Sequence, residues 1–301
     1  MDVEGINVKI SEDAKGCVVF FGVPIGNDAI DYGGTGFLVR ITDGELGFGY
    51  LVTCRHLAKA LQDFGDFFIR MNTKNGGCES VPVESIDWRY SADATVDIAV
   101  ASVHFNLRKF DHFYFTIESN WLPSSQVCCG DLINIIGLFR LHYGSKRNLP
   151  IVHTGNIAML SDPNERVPLH DEMTGKTVQC EAYMIEAQTL KGLSGSPVFV
   201  HETVALESFT KLTDGRRPGA FGAVKLLGLY SGAWDGEPGK ILEADRNLRG
   251  GLRVPVGMGT VVPAEKIMEL IMGDQKLKSH RKKVVDEHKA ERAAKRISSV
   301  L

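Results

Sequence analysis

Short apolar segments, separated by clusters of Gly, Asp, Asn and Pro, constrain the fold of this sequence more than any other feature. The separators include TDGELG, TKNGG and TDGRRPG, which are typical of turns between strands. Segments so short and so frequent predict an all-β protein built from barrels or sandwiches. The predicted strands cover residues 18–22, 35–41, 48–53, 67–71, 98–103, 132–137, 155–159, 182–186, 198–200, 224–230 and 257–262.

Helical patterns are few and lie mainly near the C-terminal end. CRHLAKAL follows a predicted strand, and PAEKIMELIM begins with Pro and has apolar residues at helical spacing. Residues 273–301 are rich in Lys, Arg, Glu and Ala and predict a basic tail that is helical or disordered. From Asp274 onward nine Lys/Arg stand against four Asp/Glu, a formal +5, which leaves −8 for the first 273 residues. Either the tail binds a partner or the acidic body, or it is a solvated helical extension.

Composition excludes several classes of function. With 301 residues, 44% of them hydrophobic, the chain can bury a large core in one domain or two lobes. No apolar run approaches the roughly 18 residues of a membrane-spanning helix, and the acidic N-terminus lacks the pattern of a secretory signal. The acidic body does not favour nucleic-acid binding.

The six cysteines show neither a CxxC pair nor the spacing of metal ligands. We therefore expect free thiols in a reducing, cytoplasmic compartment, with no metal and no cofactor.

The segment KGLSGSPVFV, residues 191–200, places Ser194 between two glycines ahead of an apolar run. Two interpretations follow from these residues. The serines cap a tight turn that leads into a buried strand. Alternatively, Ser194 is a nucleophile on a rigid turn whose backbone N–H groups face a developing oxyanion.

A nucleophilic serine needs an imidazole to accept its proton and a carboxylate to orient that imidazole. His56 lies where a predicted strand ends and a short helix begins. Asp97 leads into an apolar strand, where a carboxylate is unfavourable unless it has a partner. Asp93 is the competing acid, but it lies in the polar turn SADAT and is expected to cap that turn.

Taken in the order His, Asp, Ser, these motifs resemble the trypsin-like serine peptidases of the chymotrypsin fold. The matching segments are TCRH at 53–56, DIAV at 97–100, GLSGSP at 192–197 and, ahead of the histidine, GTGFLV at 34–39. The resemblance covers about residues 15–272 and is closest to the bacterial glutamyl-endopeptidase and HtrA-like branch. It implies two antiparallel six-stranded β-barrels. The first, 1–120, would carry the His and the Asp, and the second, 121–272, the Ser and the specificity pocket before ending in a short helix.

The resemblance also implies a role for each matching residue. His56 would act as general base and then general acid, Asp97 would orient it, and Ser194 would attack the scissile carbonyl. The N–H groups of Gly192 and Ser194 would form the oxyanion hole. The main chain of Ser231, Gly232 and Ala233 would pair with an extended substrate.

The specificity pocket departs from the family's known types. Gln188 stands where trypsin-type enzymes carry an acid, so a preference for Lys or Arg loses its main electrostatic source. Thr189 matches a pocket threonine of the glutamyl branch, but Tyr230 stands where that branch carries a histidine. Tyr230 either shortens the pocket in favour of small or medium apolar side chains or packs in the barrel core.

Other departures concern regulation. Leu57 and Leu190 replace cysteines of secreted relatives, and no zymogen-type activation sequence is present. The segments 160–177, 201–222 and 235–254 look longer than a barrel needs and either receive an activating protein partner or are surface insertions.

These features predict an intracellular serine endopeptidase that acts on protein or peptide substrates. A non-catalytic peptide-binding or scaffold module on the same fold is the alternative. An esterase is a weaker third possibility, because a strand rather than a helix follows Ser194.

Overall fold

Two lobes of β-structure, followed by two helices, make up the described part of the chain. The structure is a computed structural model that describes residues 12–27, 29–171, 176–188, 192–201, 224–236 and 254–298. Every strand predicted from the sequence overlaps a strand of the structure, so the all-β fold class is confirmed.

The first lobe is one sheet of eight strands. They are β1 (Val18–Pro24), β2 (Ile30–Asp43), β3 (Leu46–Thr53), β4 (Phe67–Asn72), β5 (Cys78–Val83), β6 (Arg89–Tyr90), β7 (Ala99–Ser102) and β8 (Phe115–Thr116). Their order is β5-β4-β1-β2-β3-β7-β6, with β8 beside β2. The sequence predicted a six-stranded barrel for this lobe, and among the described residues the strands form an open order with β5 and β6 at its two ends. Its last strand, β6, has only two residues and pairs with β7 alone.

The second lobe contains the predicted six-stranded barrel. It is closed in the order β10-β13-β16-β15-β14-β9. The strands of this lobe are β9 (Leu132–Gly137), β10 (Ile151–Met159), β11 (Val167–Asp171), β12 (Lys176–Cys180), β13 (Tyr183–Ala187), β14 (Pro197–His201), β15 (Val224–Gly236) and β16 (Val254–Pro263).

The segment 160–177, which in the sequence looks longer than a barrel needs, contains strand structure. It contributes to the hairpin of β11 and β12, which is held by a small apolar cluster of Val167, Cys180 and Ala182. The other two long segments, 201–222 and 235–254, lie almost entirely outside the described residues.

The helices are α1 (Glu12–Gly16), α2 (Arg55–Phe64), α3 (Ile117–Asn120), α4 (Ala264–Gly273) and α5 (Gln275–Ser298), with a 3₁₀ turn at Ser124–Gln126. α4 buries Ile267 and Ile271, and the beginning of α5 buries Leu277, in a core shared with the first lobe. Among the described residues, no helix has both the length and the apolar character needed to cross a membrane.

A continuous apolar core joins the two lobes. Phe199 of β14 and Leu226 of β15 lie in the same cluster as Phe37 of β2 and Phe115 of β8. The rings of Phe115 and Phe199 meet edge to face, with centroids 5.1 Å apart. This packing brings the end of β3 in the first lobe next to the turn before β14 in the second.

Candidate active site

His56 is the second residue of α2, directly after β3 ends at Thr53. Asp97 precedes β7, the strand that pairs with β3. The two side chains meet, with Nδ1 of His56 2.8 Å from Oδ2 of Asp97. The backbone N–H of His56 also donates to Oδ1 of Asp97 at 3.0 Å. Because an ionised carboxylate can only accept, Nδ1 carries the proton, and Nε2 is the basic nitrogen of the imidazole.

Asp97 accepts a third hydrogen bond, from the hydroxyl of Ser231 at 2.5 Å. Its side chain is only 13% exposed. Burial alone would raise the pKa of Asp97, but the adjacent His56 and the hydrogen bonds from His56 and Ser231 outweigh burial and lower it. Asp97 is therefore an ionised group suited to stabilise a protonated imidazole.

Ser231 has a function in this site that sequence reasoning missed. The sequence suggested main-chain pairing with a substrate at this position, but the side-chain hydroxyl fixes the carboxylate of Asp97. The available signal was a hydroxyl directly after the buried residues Leu226, Leu227, Leu229 and Tyr230.

Ser194 lies on a tight turn that leads directly into β14. Gly192 and Gly195 on either side of it have positive φ angles of 102° and 87°. The carbonyl of Leu193 accepts a hydrogen bond from the N–H of Ser196 at 2.9 Å. Because the C=O and N–H of a trans peptide point in opposite directions, the N–H of Ser194 faces away from Ser196, as an oxyanion donor must.

The turn is bound to both lobes. The N–H of Gly195 donates to the carbonyl of Tyr230 at 2.9 Å, and the N–H of Thr35 in β2 donates to the carbonyl of Ser194 at 3.1 Å. A Cβ atom on Gly195 would lie 2.0 Å from the carbonyl oxygen of Thr35, so this position requires glycine. These contacts hold the turn that carries Ser194 against β2 of the first lobe and against β15 of the second.

Asp93, the competing acid, caps a turn as expected. Its Oδ1 accepts hydrogen bonds from the N–H of Thr95 at 2.9 Å and from the hydroxyl of Thr95 at 2.7 Å.

Cys54 lies beside the histidine. Ligand atoms of Cys54, His56 and Asp97 lie within 4.8 Å of one another, the one such group among the residues that the structure describes. Burial, and then the negative charge of Asp97, raise the pKa of the Cys54 thiol well above its ordinary value. A metal ion would need the thiolate, so the raised pKa of Cys54 disfavours metal binding by this group.

The predicted pocket residues that the structure describes differ in burial. Gln188 is exposed, and Thr189 lies outside the described residues. Tyr230 is 2% exposed in the core of the second barrel. A Cβ atom on Gly259 would lie 2.7 Å from the Tyr230 ring, so the two residues fit each other closely. Of the two interpretations of Tyr230, the structure shows the packed one.

Gly232 and Ala233 follow on β15 towards the surface. Nothing lies within 4 Å of a Cβ atom built on Gly232, and Ala233 is exposed. Both residues pair with β16 on one edge of β15, and among the described residues β14 pairs with the other edge only as far as Leu229.

Comparisons with known proteins return only distant structural similarity. No protein-family model matches the sequence, and no curated protein matches it significantly. The chain is similar to three structures of Rv3671c from M. tuberculosis. One is an inactive serine-to-alanine mutant of the H37Rv protein, at 14% identity and a TM-score of 0.43, covering 90% of this chain and 94% of that one. The second is the active form of the Rv3671c protease, at 15% identity and a TM-score of 0.44, and the match covers 86% of this chain and 81% of that one. The third is the inactive form of the Rv3671c protease, at 14% identity and a TM-score of 0.42, and the match covers 86% of this chain and 89% of that one.

Proposed function

We propose that this protein is a serine endopeptidase that hydrolyses peptide bonds through Ser194, His56 and Asp97. The observation that carries the proposal is the double contact of Asp97 with the backbone and ring of His56, with Ser231 as a third donor. Such a contact fixes both the tautomer and the orientation of a general base. The proposal includes membership of the trypsin-like family, near its glutamyl-endopeptidase and HtrA-like branch, and an intracellular location.

The mechanism proceeds through an acyl-enzyme. The Ser194 hydroxyl attacks the scissile carbonyl while Nε2 of His56 takes its proton, and Asp97 stabilises the imidazolium. The N–H groups of Gly192 and Ser194 bind the oxyanion. His56 then protonates the leaving amine, and a water molecule, activated by the same nitrogen, releases the acyl group.

The surroundings of the site bear on the substrate class. Gln188 is uncharged at the position where trypsin-type enzymes carry an acid, so selection for Lys or Arg is not expected. The edge of β15 at Gly232 and Ala233, which β14 does not cover among the described residues, suits pairing with an extended peptide. We therefore propose an extended peptide substrate without selection for Lys or Arg, with the segments 201–222 and 235–254 as sites for an activating protein partner. The six free cysteines suit a reducing compartment.

Labelling by a fluorophosphonate, read by intact-protein mass spectrometry, tests the proposal. One adduct is expected on the parent protein and none on Ser194→Ala or His56→Ala. Ser196→Ala is the matched control, because the Ser196 hydroxyl is buried and finds no hydrogen-bond partner among the described residues. An adduct that survives Ser194→Ala would overturn the proposal. A folded parent that forms no adduct would favour the peptide-binding module instead.

A further inference from the structure

Thr35 of β2 uses every polar atom it has, and three of its four hydrogen bonds go to the second lobe. It is fully buried. Its N–H donates to the carbonyl of Ser194, and its own carbonyl accepts from the hydroxyl of Thr53 at 2.8 Å. Its hydroxyl donates to the carbonyl of Gly192 at 2.7 Å and accepts from the N–H of Leu138 at 3.0 Å.

We propose that Thr35 is a positioning residue for the oxyanion hole. It holds the carbonyls of Gly192 and Ser194, the residues on either side of Leu193, from the opposite lobe. The two held carbonyls belong to the 192–193 and 194–195 peptide groups, so the 193–194 peptide between them loses its freedom to rotate. This peptide carries the N–H of Ser194, one of the two expected oxyanion donors, and the N–H of Gly192, the other donor, directly precedes the held segment. This inference rests on the proposed function.

The hydroxyl of Thr35 is also the point where three chain segments meet. Leu138 follows the end of β9, and a Cβ atom on Gly192 would lie 3.3 Å from the carbonyl oxygen of Leu138. Gly192 and Leu138 are thus neighbours, and the Thr35 hydroxyl bonds to both. Only a side chain that donates and accepts at once satisfies the Gly192 carbonyl and the Leu138 N–H. Valine has the same shape but leaves both groups unpaired in a buried site.

A second contact between the lobes nearby is weaker. Arg140 forms an ion pair with Asp31 at 2.6 Å, but the side chains are 40% and 45% exposed. Exposed ion pairs contribute little to stability. The buried hydroxyl of Thr35 is therefore the more effective restraint on the turn.

The test compares fluorophosphonate labelling kinetics of the full chain with those of its Thr35 variants, separating the maximal labelling rate from the half-saturating concentration. For Thr35→Val we expect a fall in the maximal rate of about 10- to 100-fold, as for a small misplacement of catalytic groups. The half-saturating concentration should change less than about twofold, because the hydroxyl does not contact the probe. Thr35→Ser retains the hydroxyl and should label within about threefold of the parent rate, since both hydrogen bonds can re-form.

Tyr50→Phe is the matched control for lost stability. It removes another buried hydroxyl bond of the first lobe, that between Tyr50 and Arg281 at 2.8 Å, away from the site. We expect a lower melting temperature and an unchanged labelling rate. If Thr35→Val does not fold, Thr35→Ala, which leaves room for a water molecule, is the second variant to measure. We again expect a reduced maximal labelling rate.

A folded Thr35→Val or Thr35→Ala that labels at the parent rate would overturn the inference and leave the proposed function intact. Equal slowing of Thr35→Ser and Thr35→Val would also overturn it, because the methyl group rather than the hydroxyl would then matter. A parent protein that is not labelled at all would instead remove the proposed function, and the inference with it.

Discussion

At the scale of single residues, Asp97 determines what the candidate site can do. Its carboxylate accepts bonds from the backbone and ring of His56 and from the hydroxyl of Ser231. Because all three partners are donors, Asp97 can accept from all of them without conflict only while it is ionised. The lowered pKa of Asp97 keeps it ionised at neutral pH.

Replacing Asp97 with Asn should therefore stop turnover without unfolding the protein. The amide can present its NH₂ group to His56, which favours the wrong tautomer and removes the basic nitrogen from the side of Ser194. We expect kcat to fall by about 10⁴-fold. Steady-state kinetics, with thermal unfolding as the control for folding, measures this. Activity within tenfold of the parent would contradict the assigned role.

The residue scale also shows why part of the site was predictable. His56, Asp97 and Ser194 each lie in a local motif that indicates the chemistry proposed for them. The sequence indicates Thr35 only as part of an early strand, because the carbonyl of Gly192, to which its hydroxyl donates, is 157 residues away in sequence. The contact of Ser231 with Asp97 spans 134 residues. No local pattern reports a contact of that separation.

At the scale of elements, Asp274 joins α4 to α5. Its Oδ1 accepts the N–H groups of Lys276 and Leu277, both at 3.0 Å, and its Oδ2 lies 2.9 Å from a guanidinium nitrogen of Arg89. One carboxylate therefore caps the long helix and ties it to the first lobe. Burial would raise the pKa of Asp274, but Arg89 and the two N–H groups outweigh burial and lower it.

Asp274→Asn keeps the cap but removes the charge, so its effect should depend on pH. A carboxyl whose pKa is lower in the folded protein stabilises that protein fully at pH values above the ordinary carboxyl pKa of 3.8. This contribution is lost as the pH falls through the lower, folded-state pKa. At pH 7 we expect the variant to be less stable by about 1 kcal/mol. Urea unfolding of both proteins should show this difference shrinking towards zero in acid. A difference that is constant with pH would contradict the ion pair's role.

The sequence of the individual strands could not predict whether the sheet of the first lobe closes into a barrel. The sequence indicates where strands lie through their apolar residues and turns. Whether β5 and β6 pair depends on their length and on the path of the chain between them. β6, with two residues, carries no recognisable strand pattern.

At the scale of the whole molecule, the beginning of the basic tail is part of the folded core. Arg281 of α5 is 4% exposed and donates to the hydroxyl of Tyr50 at 2.8 Å and to the carbonyl of Ile271 at 2.9 Å. Val284 and Val285 pack against the same core as Leu277. The sequence allowed a helix here but could not show that it docks, because its partners lie in the first lobe.

Two truncations separate the docked part of the tail from the rest. Ending the chain after Gly273 removes Leu277 and Arg281 and uncovers the core, and should lower the free energy of unfolding by at least about 2 kcal/mol. Ending it after Ala290 removes residues that are exposed wherever they are described, and should change stability by less than about 0.5 kcal/mol. Chemical denaturation measures both. Equal stability of the two truncated proteins would contradict the docking of α5.

Cleavage of a peptide library derived from a whole proteome, read by mass spectrometry of the new termini, tests the central claim most directly. We expect new termini with the parent protein, without enrichment of Lys or Arg at the cleaved bond, and none with Ser194→Ala. Identical termini from the parent and Ser194→Ala would contradict it. So would the absence of cleavage by a parent protein that a fluorophosphonate labels on Ser194, because an activated serine would then serve another acyl transfer.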